Sequence, residues 1–209
     1  MSDDLITVID LLRHGEPEGG RRYRGSLDDP LSASGWEQMR AAIHLCQPTW
    51  QVIVSSPLRR CAEFAQELAD RHRLPLEIDS GLREMSFGVW EGRTPAEILL
   101  VTPEAQERFW RDPIRHPPPD GENLLSFQTR VVSAWHDLLG RHTGRRILLV
   151  GHGGMIRIVL CHILEIPLRR LWRLEVPYAN LSRIRVHGQG DEAEPTLQFH
   201  GQGLKSVAP

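Results

Sequence analysis

Two short stretches of this chain pair a histidine with the groups that phosphate chemistry needs. Arg13 and His14 follow the apolar run Leu5–Leu12 and precede Gly15. An arginine there offers a fork for phosphate oxygens, and a neutral imidazole beside it is a nucleophile. Far along the chain, Ile147–Val150 runs into Gly151-His152-Gly153-Gly154. These glycines let backbone approach a ligand closely, and the helix-like run Met155–Leu164 behind them aims its first N–H groups at the same place. Two further stretches supply charge: Ser55-Ser56-Pro57-Leu58-Arg59-Arg60 and Gly81-Leu82-Arg83-Glu84-Met85. The combined inventory of histidines, arginines and one carboxylate suits phosphoryl transfer through a phosphohistidine. One imidazole attacks phosphorus while arginines stabilise the equatorial oxygens. A carboxylic acid protonates the leaving oxygen and then, as carboxylate, takes a proton from water.

Such residues must be held at the ends of regular elements. Leu5–Leu12, Gln51–Ser55, Leu76–Ile78 and Ile147–Val150 read as buried strands, each followed by turn signals or a helical pattern. Helices are expected from Ser34, as N-cap, to about Cys46; from Ser56-Pro57 onward; from Leu124 to Leu139; and from Met155 to Leu164. Leu181–Val186 alternates and pairs with Thr196–Phe199 as a terminal hairpin. This order predicts an α/β fold: a three-layer α/β/α sandwich with a mainly parallel sheet. The stretch from about 82 to 123 interrupts the alternation with two short helices, around Ala96–Leu100 and Glu104–Trp110, and a proline-rich loop. It is expected to be a lid-like insertion in a single domain spanning residues 1–209.

Composition narrows the class. The chain has 209 residues, enough for one sizeable core, and a net charge of −2 that argues against a general nucleic-acid binder. Arg21, Arg22 and Arg24 lie after the first strand and, with Ser26, are candidate substrate-binding residues at an electropositive mouth. Three scattered cysteines (Cys46, Cys61 and Cys161) and the absence of an apolar leader or membrane-length run predict a cytoplasmic protein. No metal-binding motif or nucleotide loop is present, so no metal and no cofactor are expected. The expected partner is a small-molecule phosphomonoester; no nucleic acid or membrane is expected, and the chain acts alone or as a homodimer.

The motifs LRHGE (Leu12–Glu16), SSPLRRC (Ser55–Cys61), LREMSFGVWEGR (Leu82–Arg93) and GHGGMIR (Gly151–Arg157) resemble, in order, those of the histidine phosphatase superfamily, the phosphoglycerate-mutase-like fold. The resemblance implies that His14 is the phosphorylated nucleophile and that Arg13 and Arg59 grip the phosphate. It further implies that His152 binds the same phosphate and that Glu84 is the proton donor. Arg60 is the alternative to Arg59; Glu91 and Glu16 are the alternatives to Glu84. His116, His136 and His142 match no motif and are expected at the surface. Trp36, Trp90, Trp110 and Trp135 are expected to pack rather than to carry substrate.

Within the superfamily the likeness is nearest to the α-ribazole phosphatases, through Arg24–Leu31 and the segment Phe109–Glu122. It implies hydrolysis of α-ribazole 5′-phosphate or its cobamide-linked form. The alternatives are a broad or sugar-phosphate phosphatase, a mutase, and a non-catalytic binder of phospholigands. Asn123 stands where a serine is common, Ser86 where an aspartate is often found, and Gly20 where mutases usually carry asparagine.

Overall fold

The computed structural model describes residues 5–44 and 49–202. Cys46, one of the three cysteines, lies outside them. Strands β1 (Ile6–Arg13), β2 (Val52–Ser55), β3 (Leu76–Ile78), β4 (Arg146–Gly151), β5 (Leu181–His187) and β6 (Glu194–Gln202) form a six-stranded sheet in the order β3-β2-β4-β1-β5-β6. The first four are mutually parallel; β5 and β6 join antiparallel at one side.

The parallel strands read as continuous apolar runs because both of their faces are covered. Alternate residues divide between two cores, as the two-residue strand period requires. Ile9, Leu11, Ile147 and Leu149 pack with helices α5 (Leu124–Arg141) and α6 (Gly153–Ile163). Leu12, Ile53, Leu148 and Val150 pack on the other face with α1 (Ala33–His44) and α2 (Arg59–His72). The buried charged residue within β1 is Asp10. It accepts the Trp50 indole N–H at 2.8 Å and the Arg183 guanidinium at 2.7 and 2.9 Å.

The insertion carries α3 (Pro95–Val101) and α4 (Pro103–Arg111). Thr94 and Glu97 form a reciprocal capping box at the start of α3. Asn123 caps α5, its side chain accepting the Leu125 N–H at 2.8 Å. Asparagine replaces serine there without loss because both are strong N-caps. Two expected helix starts shift. Ser32, not Ser34, caps α1 by accepting the Gly35 N–H at 3.0 Å. Helix α2 begins at Arg59 rather than at Ser56-Pro57, because Leu58 is still extended (φ −69°, ψ 135°). Among the described residues no helix is long and apolar enough to cross a membrane.

Candidate active site

The register of β1 against β4 assembles the centre. Leu12 lies opposite Val150 and Arg13 opposite Gly151, so His14 and His152 leave the sheet side by side. The His14 N–H donates to the Gly151 carbonyl at 2.9 Å, and the two imidazole rings meet edge to face with centroids 5.2 Å apart. β2 ends alongside, where the Ser56 N–H donates to the Val150 carbonyl. This is the carboxyl edge of the parallel strands, where open α/β sheets hold their ligands.

A cavity of about 270 Å³ opens there, lined by Arg13, His14, Arg60 and Glu84 among others. His14 is 5% exposed. Its Nδ1 lies 2.7 Å from the Gly15 carbonyl oxygen, which can only accept. Nδ1 therefore carries the proton, and Nε2 keeps its lone pair. Burial, then the charges of Arg13 and Arg60, hold the His14 imidazole well below its usual pKa of 6.5. It is a neutral base at pH 7. His152 is depressed for the same reasons, burial first. It is fully buried behind His14 and does not itself line the cavity.

The arginine pair differs from the sequence expectation. Arg13 is placed as expected: its Nη1 donates to the Val176 carbonyl at 2.6 Å, and the guanidinium sits 4.2 Å from the Tyr178 ring centroid. Its buried Nε has no protein partner, and burial lowers its pKa to about 10, which leaves it cationic. Arg59, expected as the second phosphate ligand, points to solvent and pairs with Glu63 at 2.7 Å. Arg60 occupies the cavity instead, 1% exposed. Helical phase explains the exchange. The inward face of α2 runs Arg60, Cys61, Phe64, Ala65, Leu68, which leaves Arg59 on the outer face. The Leu27 and Gly25 carbonyls hold the Arg60 guanidinium at 2.6 and 2.9 Å, and its buried Nε is unpartnered.

Glu84 faces this arginine pair with its carboxylate accepting the Gly154 and Met85 N–H groups at 2.9 and 3.0 Å. A side chain at Gly154 would collide with that carboxyl group, so the glycine is required for the approach. A Cβ at Gly153 would stand 3.2 Å from both Arg13 and Arg157. Arg130 of α5, which no motif marked, donates to the Gly81, Arg83 and Glu84 carbonyls at 2.8–3.0 Å and pairs with Glu122. It ties the Glu84 loop to the helix. The alternatives to Glu84 lie elsewhere. Glu91 is occupied by the Ser26, Leu27 and Phe87 N–H groups, and Glu16 does not line the cavity.

The remaining candidates divide. Arg22 lines the cavity and donates to the Gly19 and Gly92 carbonyls. Arg24 also lines it, but its guanidinium is engaged by Asp29 and the Gly20 and Glu18 carbonyls, so it braces the loop. Arg21 reaches only an outer vestibule. Ser26 lies outside the cavity, because Glu91 pins its N–H.

Trp36, Trp90 and Trp135 pack as expected. Trp110 does not: it is 46% exposed, lines the cavity with Trp172, and donates to the Tyr23 hydroxyl at 3.1 Å. His142 is buried rather than at the surface, its Nε2 3.1 Å from Glu77. Arg157, the last residue of the GHGGMIR motif but given no role there, lines both cavity and vestibule with its Nε on the Leu174 carbonyl at 2.8 Å. Trp172 and Arg157 carried only weak sequence signals, since neither lies at a strand end.

Residues 9–196 match the family described as histidine phosphatase superfamily (branch 1). The chain is 35% identical over 190 residues to a glucosyl-3-phosphoglycerate phosphatase of Mycolicibacterium vanbaalenii, covering 85% of this chain and 83% of that protein. It is 30% identical over 185 residues to phosphoserine phosphatase 1 of Hydrogenobacter thermophilus, covering 87% of each. The solved structure of the α-ribazole phosphatase from Shigella flexneri superposes with a TM-score of 0.81 at 25% identity, over 97% of this chain and 100% of that one.

Proposed function

Because the chain belongs to the histidine phosphatase superfamily, branch 1, we propose that it is a metal-independent phosphomonoesterase acting through a phosphohistidine on His14. One observation carries this reading. The bare Nε2 of a neutral, buried His14 shares a cavity with two guanidinium groups, each with a buried N–H that no protein atom accepts. A phosphate dianion satisfies both. Arg13 and Arg60 then stabilise the charge of the loose transition state, the second role passing from Arg59 to its neighbour.

The chemistry follows from the placement. Nε2 of His14 bonds to phosphorus as the ester P–O bond breaks, and the Glu84 carboxylic acid gives its proton to the departing alkoxide. A water then enters, Glu84 as carboxylate takes its proton, and the resulting nucleophile displaces His14 from phosphorus. Inorganic phosphate leaves, and His14 and Glu84 return to their starting states. His152, whose ring meets that of His14 edge to face, supports the phosphoryl group from beside it. The 82–123 segment, which supplies Glu84 and Trp110, covers the cavity as part of a single domain.

For the substrate, the flat walls supplied by Tyr23, Trp110, Trp172 and Tyr178 favour an ester with a planar aromatic portion, which supports α-ribazole 5′-phosphate. A second reading is favoured by Arg157, a cavity arginine for which no carboxylate partner lies within 4 Å among the described residues. It suits an ester that also carries a carboxylate, as the phosphoglycerate- and phosphoserine-directed relatives' substrates do. Phosphate release in EDTA separates the two. We expect kcat/KM for α-ribazole 5′-phosphate to exceed that for phosphoserine and 3-phosphoglycerate by two decades. The reverse order selects the carboxylate ester, and no release from any ester overturns the phosphatase reading.

A further inference from the structure

His152 is fully buried, and its Nε2 lies 2.7 Å from the Ser56 hydroxyl oxygen. Ser56 is equally buried, held in place by its own N–H on the Val150 carbonyl. The same oxygen accepts the Leu58 N–H at 3.3 Å. Among the described residues these are the two contacts of the hydroxyl group. Its one proton needs an acceptor, because a buried hydroxyl proton without one is strongly disfavoured. If Nε2 carried a proton, the Ser56 oxygen would accept twice, and the hydroxyl proton would have no acceptor. The accounting closes only when Ser56 donates to a bare Nε2. The proton of neutral His152 then sits on Nδ1.

Among the described residues the neighbour of Nδ1 is the Cys61 sulfur at 3.8 Å, which lies nearer Nε2, at 3.6 Å. The Cys61 thiol is already directed to the Gly151 carbonyl at 3.4 Å, and burial pushes its pKa up to about 12. It remains a thiol, so it provides no anion to hold the Nδ1 proton. The Nδ1–H is a donor without a strong protein acceptor, on a ring whose centroid lies 5.2 Å from that of His14. On the other tautomer Nδ1 would present a lone pair and repel an oxyanion.

We propose that Ser56 is a positioning residue: its hydroxyl fixes the tautomer of His152 so that Nδ1–H donates to the phosphoryl oxygen on His14. The consequence for turnover rests on the phosphohistidine reading; the tautomer itself does not. Long-range proton–nitrogen NMR on histidine-labelled protein tests it, with the His152 signal assigned by its loss in His152→Gln. Wild type is expected to show His152 protonated on Nδ1. Ser56→Ala is expected to shift His152 toward Nε2–H and to weaken inorganic phosphate binding and kcat by about tenfold each. Ser56→Thr, which restores the donor, is expected to return all three.

An Nε2–H signal in wild type overturns the proposal, as does a folded Ser56→Ala with the wild-type tautomer and phosphate affinity. If Ser56→Ala fails to fold, the wild-type spectrum still decides. Turnover by His14→Ala would instead overturn the phosphohistidine reading while leaving the tautomer readable.

Discussion

The floor and the walls of the cavity are built by different rules. The floor is His14, Arg13, Arg60 and Glu84, with His152 behind. All but Glu84 come from strand ends and the first turns of helices, with backbones tied to one another as His14 N–H is to the Gly151 carbonyl; the Glu84 loop is tied to α5 by Arg130. The walls are Tyr23, Trp110, Trp172 and Tyr178, drawn from three distant loop or insertion segments. They touch through ring contacts, such as Trp110 on Trp172 at 4.6 Å between centroids. A floor braced by backbone holds geometry tightly enough for bond-making, whereas loop-borne walls can vary without disturbing it. On the proposed reading, reactivity belongs to the floor and choice of substrate to the walls.

The most severe way to break this division is His14→Ala. It is expected to cost at least about 10⁴-fold in kcat/KM with the fold intact by circular dichroism. Retained turnover would move the reactive centre elsewhere. The next test sets two adjacent arginines against each other. Arg60→Ala is expected to lose about 10²–10³-fold in kcat, the scale of one removed charge stabiliser. Arg59→Ala should stay within about twofold, because its exposed ion pair with Glu63 contributes little. Equal losses would mean that the cavity arginine was misassigned.

Trp172→Ala sharpens the contrast. Loss of one aromatic contact is worth about 0.5–1.5 kcal/mol, so KM should rise about two- to tenfold for an ester with a planar ring. It should barely change for a small aliphatic ester, and kcat should hold. A uniform fall in kcat across both esters would show the wall to be part of the catalytic floor.

The last test concerns stability against pH rather than turnover. The pKa values of His14 and His152 are depressed in the folded chain, so below the unfolded value of about 6.5 the unfolded chain binds more protons. Their contribution is present above that pH and is lost as pH falls through it toward the folded values. Each should add a slope of about 1.4 kcal/mol per pH unit in that window. Urea midpoints measured from pH 7 to pH 5 should decline, and His14→Gln should reduce the slope. An unchanged slope in that variant would show His14 to be solvated.

Much of this was legible from local pattern. Strand β1 is a mostly apolar run, interrupted by Thr7 and Asp10, and its end coincides with Arg13-His14. Glu84 and Gly151–Gly154 likewise stand where the chain turns. The errors cluster where facing is decided by packing. Arg59 and Arg60 are chemically identical neighbours, and only the burial of Phe64, Ala65 and Leu68 against the sheet selects which points inward. Trp110 was expected to pack like Trp90 and Trp135. Its helix α4 buries Phe109 instead, and the next residue is left half exposed at the cavity. His142 has the composition of a surface histidine, yet the end of α5 packs it beside Glu77 of β3.

The sequence by itself determined which chemistry this protein can perform. The proposed nucleophile, its arginine neighbour and the proposed acid lie next to glycines or strand ends, and such short-range order survives as a linear pattern. Tertiary structure alone decided which arginine lines the cavity, which aromatic rings form its walls and, on the proposal above, which nitrogen of His152 carries a proton. Those outcomes turn on helix phase, on loops far apart in the chain, and on a buried hydroxyl group whose proton has one acceptor. None of these is a property of neighbouring residues.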